Sequence, residues 1–205
     1  MKKLESSLTN MVVVLLGVAV VVGAILAFVN HVTEGPIEEQ KRLALESGIK
    51  AVMQDDGVVI TKEDIDTIKV DDGKGKELTY IIYNNKKGAA VESSTMGFGG
   101  RLRVLVGFDR EGTILGYRLL EHQETPGLGA KADQWFQKGS KGNIIGMNPG
   151  TKPLDVKPEK GGKGDVDAIT ASTITTRAFL LAVNNAYNIY KKNAADAVSG
   201  ATKKK

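Results

Sequence analysis

Leu102-Arg103-Val104-Leu105-Val106-Gly107-Phe108 runs into Asp109-Arg110-Glu111-Gly112, and Thr113-Ile114-Leu115-Gly116-Tyr117-Arg118-Leu119-Leu120 follows at once. Two alternating apolar runs joined by a short polar turn predict a β-hairpin. Upstream, Leu78–Tyr83 is β-branched and aromatic and stops at Asn84-Asn85, and Lys87–Glu92 is a weaker strand candidate. Consecutive strands with tight turns argue for an antiparallel sheet. Ile60–Val70 is short and mixed, and 71–76 reads as a loop. Helical patterns flank the sheet. Glu34–Met53 reads as a helix with Pro36 at its first position, with Leu43, Ile49 and Val52 as apolar positions and Asp55-Asp56-Gly57 as its closing turn. Ala132–Lys138 reads as a short helix whose Trp135 and Phe136 belong to the core. From Phe179 the apolar positions Phe179, Val183, Ala186, Tyr187 and Tyr190 fall on one stripe of an amphipathic helix. The fold class is α+β, an antiparallel sheet flanked by helices.

The 205 residues suffice for one moderate domain and a membrane anchor. Met11–Val29 (MVVVLLGVAVVVGAILAFV) carries no charge. At about 1.5 Å per residue it matches the roughly 30 Å hydrocarbon core of a bilayer. A cleaved signal peptide is the alternative, but its apolar core is about 7–15 residues long and ends in a small-x-small site. Here Ala24-Ile25-Leu26-Ala27 is followed by more apolar residues. A single transmembrane helix over 11–29 is preferred. Lys2 and Lys3 predict a cytoplasmic segment 1–10 by the positive-inside bias. That leaves a domain over 30–192 and a polar tail over 193–205 on the outer side.

Lys+Arg number 28 and Asp+Glu 24, a net charge of +4. The charges are scattered and aromatics are sparse, so nothing favours a nucleic-acid partner. The chain has no cysteine, which excludes thiolate-held iron–sulfur clusters and disulfides. His31 and His122 are its only histidines, too few for a multi-histidine metal or haem site. His122 reads as a hydrogen-bonded loop residue, and no nucleophile elbow supports a hydrolase. Any electrons this chain carries need an organic cofactor.

Three stretches carry unusual chemistry. Gly97-Phe98-Gly99-Gly100 is a glycine-dense turn before a strand, and Glu121-His122-Gln123-Glu124-Thr125-Pro126-Gly127-Leu128-Gly129 follows the hairpin. Pro126-Gly127 favours a tight turn, and Gly129 permits close backbone approach. Asp167-Ala168-Ile169-Thr170-Ala171-Ser172-Thr173-Ile174-Thr175-Thr176 stands at the start of the last helix. Hydroxyls there cap free N–H groups, and the same groups with the helix dipole suit a phosphate. Gly161-Gly162-Lys163-Gly164-Asp165 lacks the spacing of a P-loop or dinucleotide fingerprint and reads as a loop.

Asp167, Thr170 and Thr173 match the flavinylation pattern Asp-x-x-Ser/Thr-Gly-Ala-Thr, so the chain resembles the FMN-binding domain family. Ala171 stands where Gly is usual and Ser172 where Ala is usual. The resemblance implies that a flavin transferase joins FMN to Thr173 through a phosphoester and that Asp167 helps position the acceptor. A second stretch, Asp196-Ala197-Val198-Ser199-Gly200-Ala201-Thr202, fits the short pattern without departure, but only Lys203-Lys204-Lys205 follows it. A buried cofactor needs a scaffold around its phosphate, which favours Thr173 over Thr202.

With the anchor and the fixed order of the three stretches, the chain looks like the G subunit of the Rnf complex. The C subunit of the sodium-pumping NADH:quinone reductase is similar in layout. The resemblance implies a redox subunit, with no independent catalytic activity, of an inner-membrane complex coupling ferredoxin:NAD electron flow to ion transport. Covalent FMN, neighbouring Rnf subunits, a flavin transferase and the lipid bilayer are the implied cofactor and partners. Gly99, Thr125, Gly127, Leu128 and Thr176 are candidate flavin contacts by motif position. An anchored structural or binding subunit without covalent flavin is the alternative.

Overall fold

The computed structural model describes residues 8–58, 60–71, 77–157 and 164–199, apart from the side chains of 196–199. Two compact units are present, Met1–Ala44 and Leu45–Lys205. The loop expected over 161–165 lies largely outside the described residues, as do Gly200 to Thr202 of the second threonine stretch.

α1 is one α-helix from Leu8 to Met53 with Pro36 inside it. This corrects the expectation of a separate helix beginning at Pro36. Proline removes one backbone N–H, yet the Glu-, Gln- and Lys-rich turns after it are good helix formers and propagate the helix. Thr33, just before it, donates its hydroxyl to the Val29 carbonyl at 2.8 Å. The first part of α1 is long and apolar enough to cross a membrane, and none of it is buried against protein.

The second unit holds a five-stranded antiparallel sheet in sequential order. Its strands are β1 (Ile65–Asp71), β2 (Glu77–Asn85), β3 (Gly88–Met96), β4 (Arg101–Asp109) and β5 (Ile114–Glu121). The expected hairpin is β4–β5, with Val106 opposite Tyr117. Asp109 closes its turn by accepting the Thr113 N–H on its carboxylate at 2.7 Å. β1 was not expected as a strand. It is an edge whose polar Asp66, Thr67, Lys69 and Asp71 interrupt the apolar pattern, while Ile68 and Val70 still pack inward. Polar residues suit an edge because they discourage pairing with other chains. The helix expected over Ala132–Lys138 is shorter: α2 spans Ala132–Trp135.

α3 (Thr173–Ser199) lies on one face of the sheet. Phe179, Val183, Ala186 and Tyr187 are buried there with Tyr80, Ile82, Val91, Val104, Val106 and Phe108. α3 continues through residue 193 as far as Ser199. Asn193 is buried and donates to Asp66 at 3.4 Å, which ties that turn to the edge strand. The other sheet face is covered by the last turns of α1, where Ile49, Val52 and Met53 meet Tyr83, Ala90 and Leu105. Leu43, expected to share that apolar stripe, is exposed. Gly107 on β4 has no Cβ because the Val52 backbone occupies that place. β4 is therefore buried on both faces, which its near-continuous apolar sequence reflects.

An aromatic stack anchors the start of α3. Phe136 and Phe179 lie parallel with centroids 4.2 Å apart, and Tyr117 meets Phe179 edge-on at 4.9 Å. The Tyr117 hydroxyl donates to the Ala132 carbonyl at 2.7 Å and accepts the Phe136 N–H at 3.2 Å. Burial pushes its ionisation well above the ordinary phenol value. Phe179→Ala should cost about 3–5 kcal/mol of stability, measured by urea unfolding of the full-length protein in detergent. A loss under about 1 kcal/mol would show that the stack does not hold α3.

Candidate functional site

The turn before α3 is wired by its own hydroxyls. The Ile169 N–H donates to Thr176 Oγ1 at 3.1 Å, and Thr176 Oγ1 donates to the Ser172 carbonyl at 3.0 Å. The first intrahelical bond runs from the Thr176 N–H to the same carbonyl at 3.0 Å. The N–H groups of Thr173, Ile174 and Thr175 have no acceptor among the described residues. Thr175 and Thr176 are fully buried, whereas Thr170 and Thr173 are exposed. The hydroxyls thus divide: Thr175 and Thr176 face inward, and Thr173 presents its hydroxyl to solvent at a helix end with free N–H groups. Those groups and the dipole make an anion seat.

Ala171 has φ of 59°, in the left-handed region. A side chain there costs about 1–3 kcal/mol. A glycine adopts the same turn without that strain, which is the physical sense of glycine at this place in the flavinylation pattern. Asp167 is partly exposed, and its carboxylate pairs with Lys157 Nζ at 3.1 Å. Its carbonyl accepts the Trp135 Nε1–H at 2.8 Å. No hydrogen bond joins the Asp167 carboxylate to Thr170 or Thr173 among the described residues.

Glu124 joins the three unusual stretches. It is 5% exposed. Its Oε1 accepts the Gly99 N–H at 3.2 Å, and its Oε2 accepts the Thr175 hydroxyl at 2.6 Å. The Ser172 hydroxyl lies 3.3 Å from Thr175 Oγ1. Gly129 fits only because it lacks a Cβ, which would stand 2.5 Å from Glu124 Oε2 and 2.8 Å from Thr175 Oγ1. The Gly97–Gly100 turn, the 124–129 segment and the first turn of α3 therefore meet at one buried carboxylate. Sequence reasoning quoted Glu124 within its stretch but gave it no role, because a single carboxylate in a glycine-rich loop has no periodicity to mark it. Thr175 was likewise one hydroxyl among several.

Thr125 and Gly127 are exposed. The Thr125 carbonyl accepts the N–H groups of Leu128 at 3.1 Å and Ala130 at 3.2 Å, closing a tight turn with Gly127 at φ 76°. Leu128 is 40% exposed. From Leu45 onward the exposed large apolar side chains among the described residues are Ile65, Met96, Phe98, Leu128, Ile174 and Leu181. Met96, Phe98, Leu128 and Ile174 sit on segments that meet at the start of α3, while Leu181 lies about two turns further along that helix; next to Met96, Thr95 donates to the Ala178 carbonyl at 2.9 Å. Exposed apolar side chains gathered this way mark a binding surface.

Comparison with known proteins adds to this geometry. The FMN-binding domain family matches residues 97–188, and the RnfG N-terminal region family matches residues 1–52. The G subunit of the ion-translocating oxidoreductase complex of Shewanella amazonensis is 30% identical over 206 residues, covering 94% of this chain and 93% of its own. The G subunit of the Na(+)-translocating ferredoxin:NAD(+) oxidoreductase complex of Acetobacterium woodii is 30% identical, covering 87% of this chain and 89% of its own. The crystal structure of the C subunit of Na(+)-translocating NADH-quinone reductase from Parabacteroides distasonis aligns with 57% of this chain and 62% of its own, at a TM-score of 0.39 and 23% identity.

Ala171→Gly should raise the unfolding free energy by about 1 kcal/mol by relieving the left-handed alanine. Denaturant titration followed through Trp135, the sole tryptophan, measures it. A less stable variant would show that this turn stores no strain.

Proposed function

The chain belongs to the family of G subunits of ion-translocating oxidoreductase complexes, and on that premise we propose that it holds FMN covalently through Thr173. It is an electron-carrying subunit of such a complex, a redox part of a translocase with an FMN-binding domain. The observation that carries the covalent reading is the exposed Thr173 at a helix start with three N–H groups that have no acceptor among the described residues.

The residues present fit the group. A phosphodiester on Thr173 Oγ1 keeps one negative charge, which the N–H groups of Thr173–Thr175 and the α3 dipole stabilise. Phe98, Leu128 and Ile174 offer apolar surface to a flat ring, Gly99 and Gly127 add no side chain to the neighbouring backbone, and Thr125 closes the turn through its carbonyl. Thr176, buried and bonded on both sides, serves by shaping the turn. Thr170 stands exposed on that turn, and Asp167, paired with Lys157, lies at its entrance, where a transferase would reach it. When bound, FMN supplies the electron transfer; the chain binds and orients it and limits its access to water. An ester also prevents loss of the cofactor by dissociation.

In the same reading α1 spans the inner membrane once over 11–29, with 1–10 inside and the domain of 30–192 outside. The other members of the complex surround it, a flavin transferase matures it, and the electrons pass between ferredoxin and NAD.

Full-length protein made with the transferase should fluoresce in a denaturing gel. The peptide containing Thr173 should gain the mass of FMN minus water. Thr173→Ala should abolish both signals and Thr202→Ala should leave them. Flavin on the Thr202 peptide, with none on Thr173, overturns the assignment.

A further inference from the structure

The most buried ionisable group near Thr173 belongs to no part of the flavinylation motif. Glu124 lies 51 residues before Thr175, yet its carboxylate bonds to that residue, two positions past the acceptor. Both of its oxygens act as acceptors, one from a backbone N–H and one from a hydroxyl. No cation pairs with it among the described residues, in contrast to Glu92, which is bound by Arg103 at 2.7 Å. A carboxylate enclosed by glycines and hydroxyls, without a counter-charge, is costly to place. A purely architectural link between a turn and a helix could be made by a neutral amide.

We propose that Glu124 is a positioning residue for the cofactor: it clamps the Gly99 turn and the Thr175 turn into one preformed seat and sets a negative charge beneath it. The proposal rests on the reading of Thr173 as the flavin carrier and deepens it. The clamp acts through Gly99 N–H and Thr175 Oγ1, so the seat exists before the flavin arrives. Binding then need not order two loops, and preorganisation of this kind favours attachment. The charge opposes the gain of an electron by a neighbouring group, because two like charges in a poorly hydrated site repel more strongly than in water. Glu124 thereby holds the attached flavin at a lower midpoint potential than a neutral residue would. The effect is electrostatic and leaves a signature that packing alone does not.

Glu124→Gln preserves the shape and can still bond both partners, with its amide as acceptor toward Gly99 and donor toward Thr175. Full-length protein is made with the transferase, and three quantities are read: flavin mass on the Thr173 peptide, Trp135 fluorescence as a measure of folding, and the midpoint potential by spectroelectrochemical titration. The expected result is a folded Glu124→Gln protein that carries flavin and titrates at a higher potential than the parent. Thr175→Val, which removes the clamp's donor, should slow flavin attachment by about threefold to tenfold, while Thr175→Ser should restore the parental rate. Flavin on Thr173 of the parent, with an unchanged potential in Glu124→Gln, overturns the charge role of Glu124 and leaves the carrier assignment standing. Equal attachment rates in Thr175→Val and the parent overturn the clamp. A parent protein without flavin overturns the carrier assignment and this proposal together. Should Glu124→Gln fail to fold, Glu124→Asp replaces it: the shorter carboxylate keeps the charge, so its potential should stay near the parental value, and a potential shifted upward overturns the charge role.

Discussion

The packing of α3 against the sheet is the constraint on which the domain depends. Phe179, Val183 and Ala186 cannot be buried against β3 and β4 unless the helix starts close to the sheet end where β3 meets the glycine turn. That start delivers Thr173 to the surface and Thr175 to the interior. The stack of Phe136 and Phe179, 4.2 Å apart, holds the same helix end against the segment after β5. Hydrophobic burial supplies the driving force, and the hydroxyl network fixes the phase at which the helix begins.

The site is assembled from three places in the chain. Gly99 comes from the β3–β4 connection, Glu124 from the segment after β5, and Thr175 from the first turn of α3. Each contributes little alone. Together they enclose one carboxylate, close the floor below the exposed Thr173, and leave Phe98, Leu128 and Ile174 facing solvent. A carrier must hold its cofactor firmly and still expose it to a partner.

The flanking elements have a separate logic. β4 is enclosed on both faces, by α3 and by the last turns of α1, and the close approach of Val52 to Gly107 lets the second layer sit flat. The glycine in the middle of that strand marks a packing contact. Glu92, buried on the face covered by α1, is compensated by Arg103 at 2.7 Å. Beside it, burial, reinforced by the Glu92 carboxylate, pushes the Tyr83 hydroxyl up to about 12. Charge on that face is neutralised locally, whereas the charge at Glu124 is not.

By itself the sequence determined the antiparallel sheet, the amphipathic last helix, the long apolar helix and the threonine motif, because each is written in residues close together along the chain. Local periodicity also explains the failures. β1 hid behind Asp66 and Lys69, which an edge strand tolerates, and the helix ran through Pro36 because strong helix formers follow it. Only the tertiary structure decided which hydroxyls face inward, which glycines touch a neighbour, and that Glu124 links Gly99 to Thr175. Contacts between residues 25 and 51 positions apart leave no trace in local pattern. They exist because burying the stripe of α3 brings distant loops to one end of the sheet.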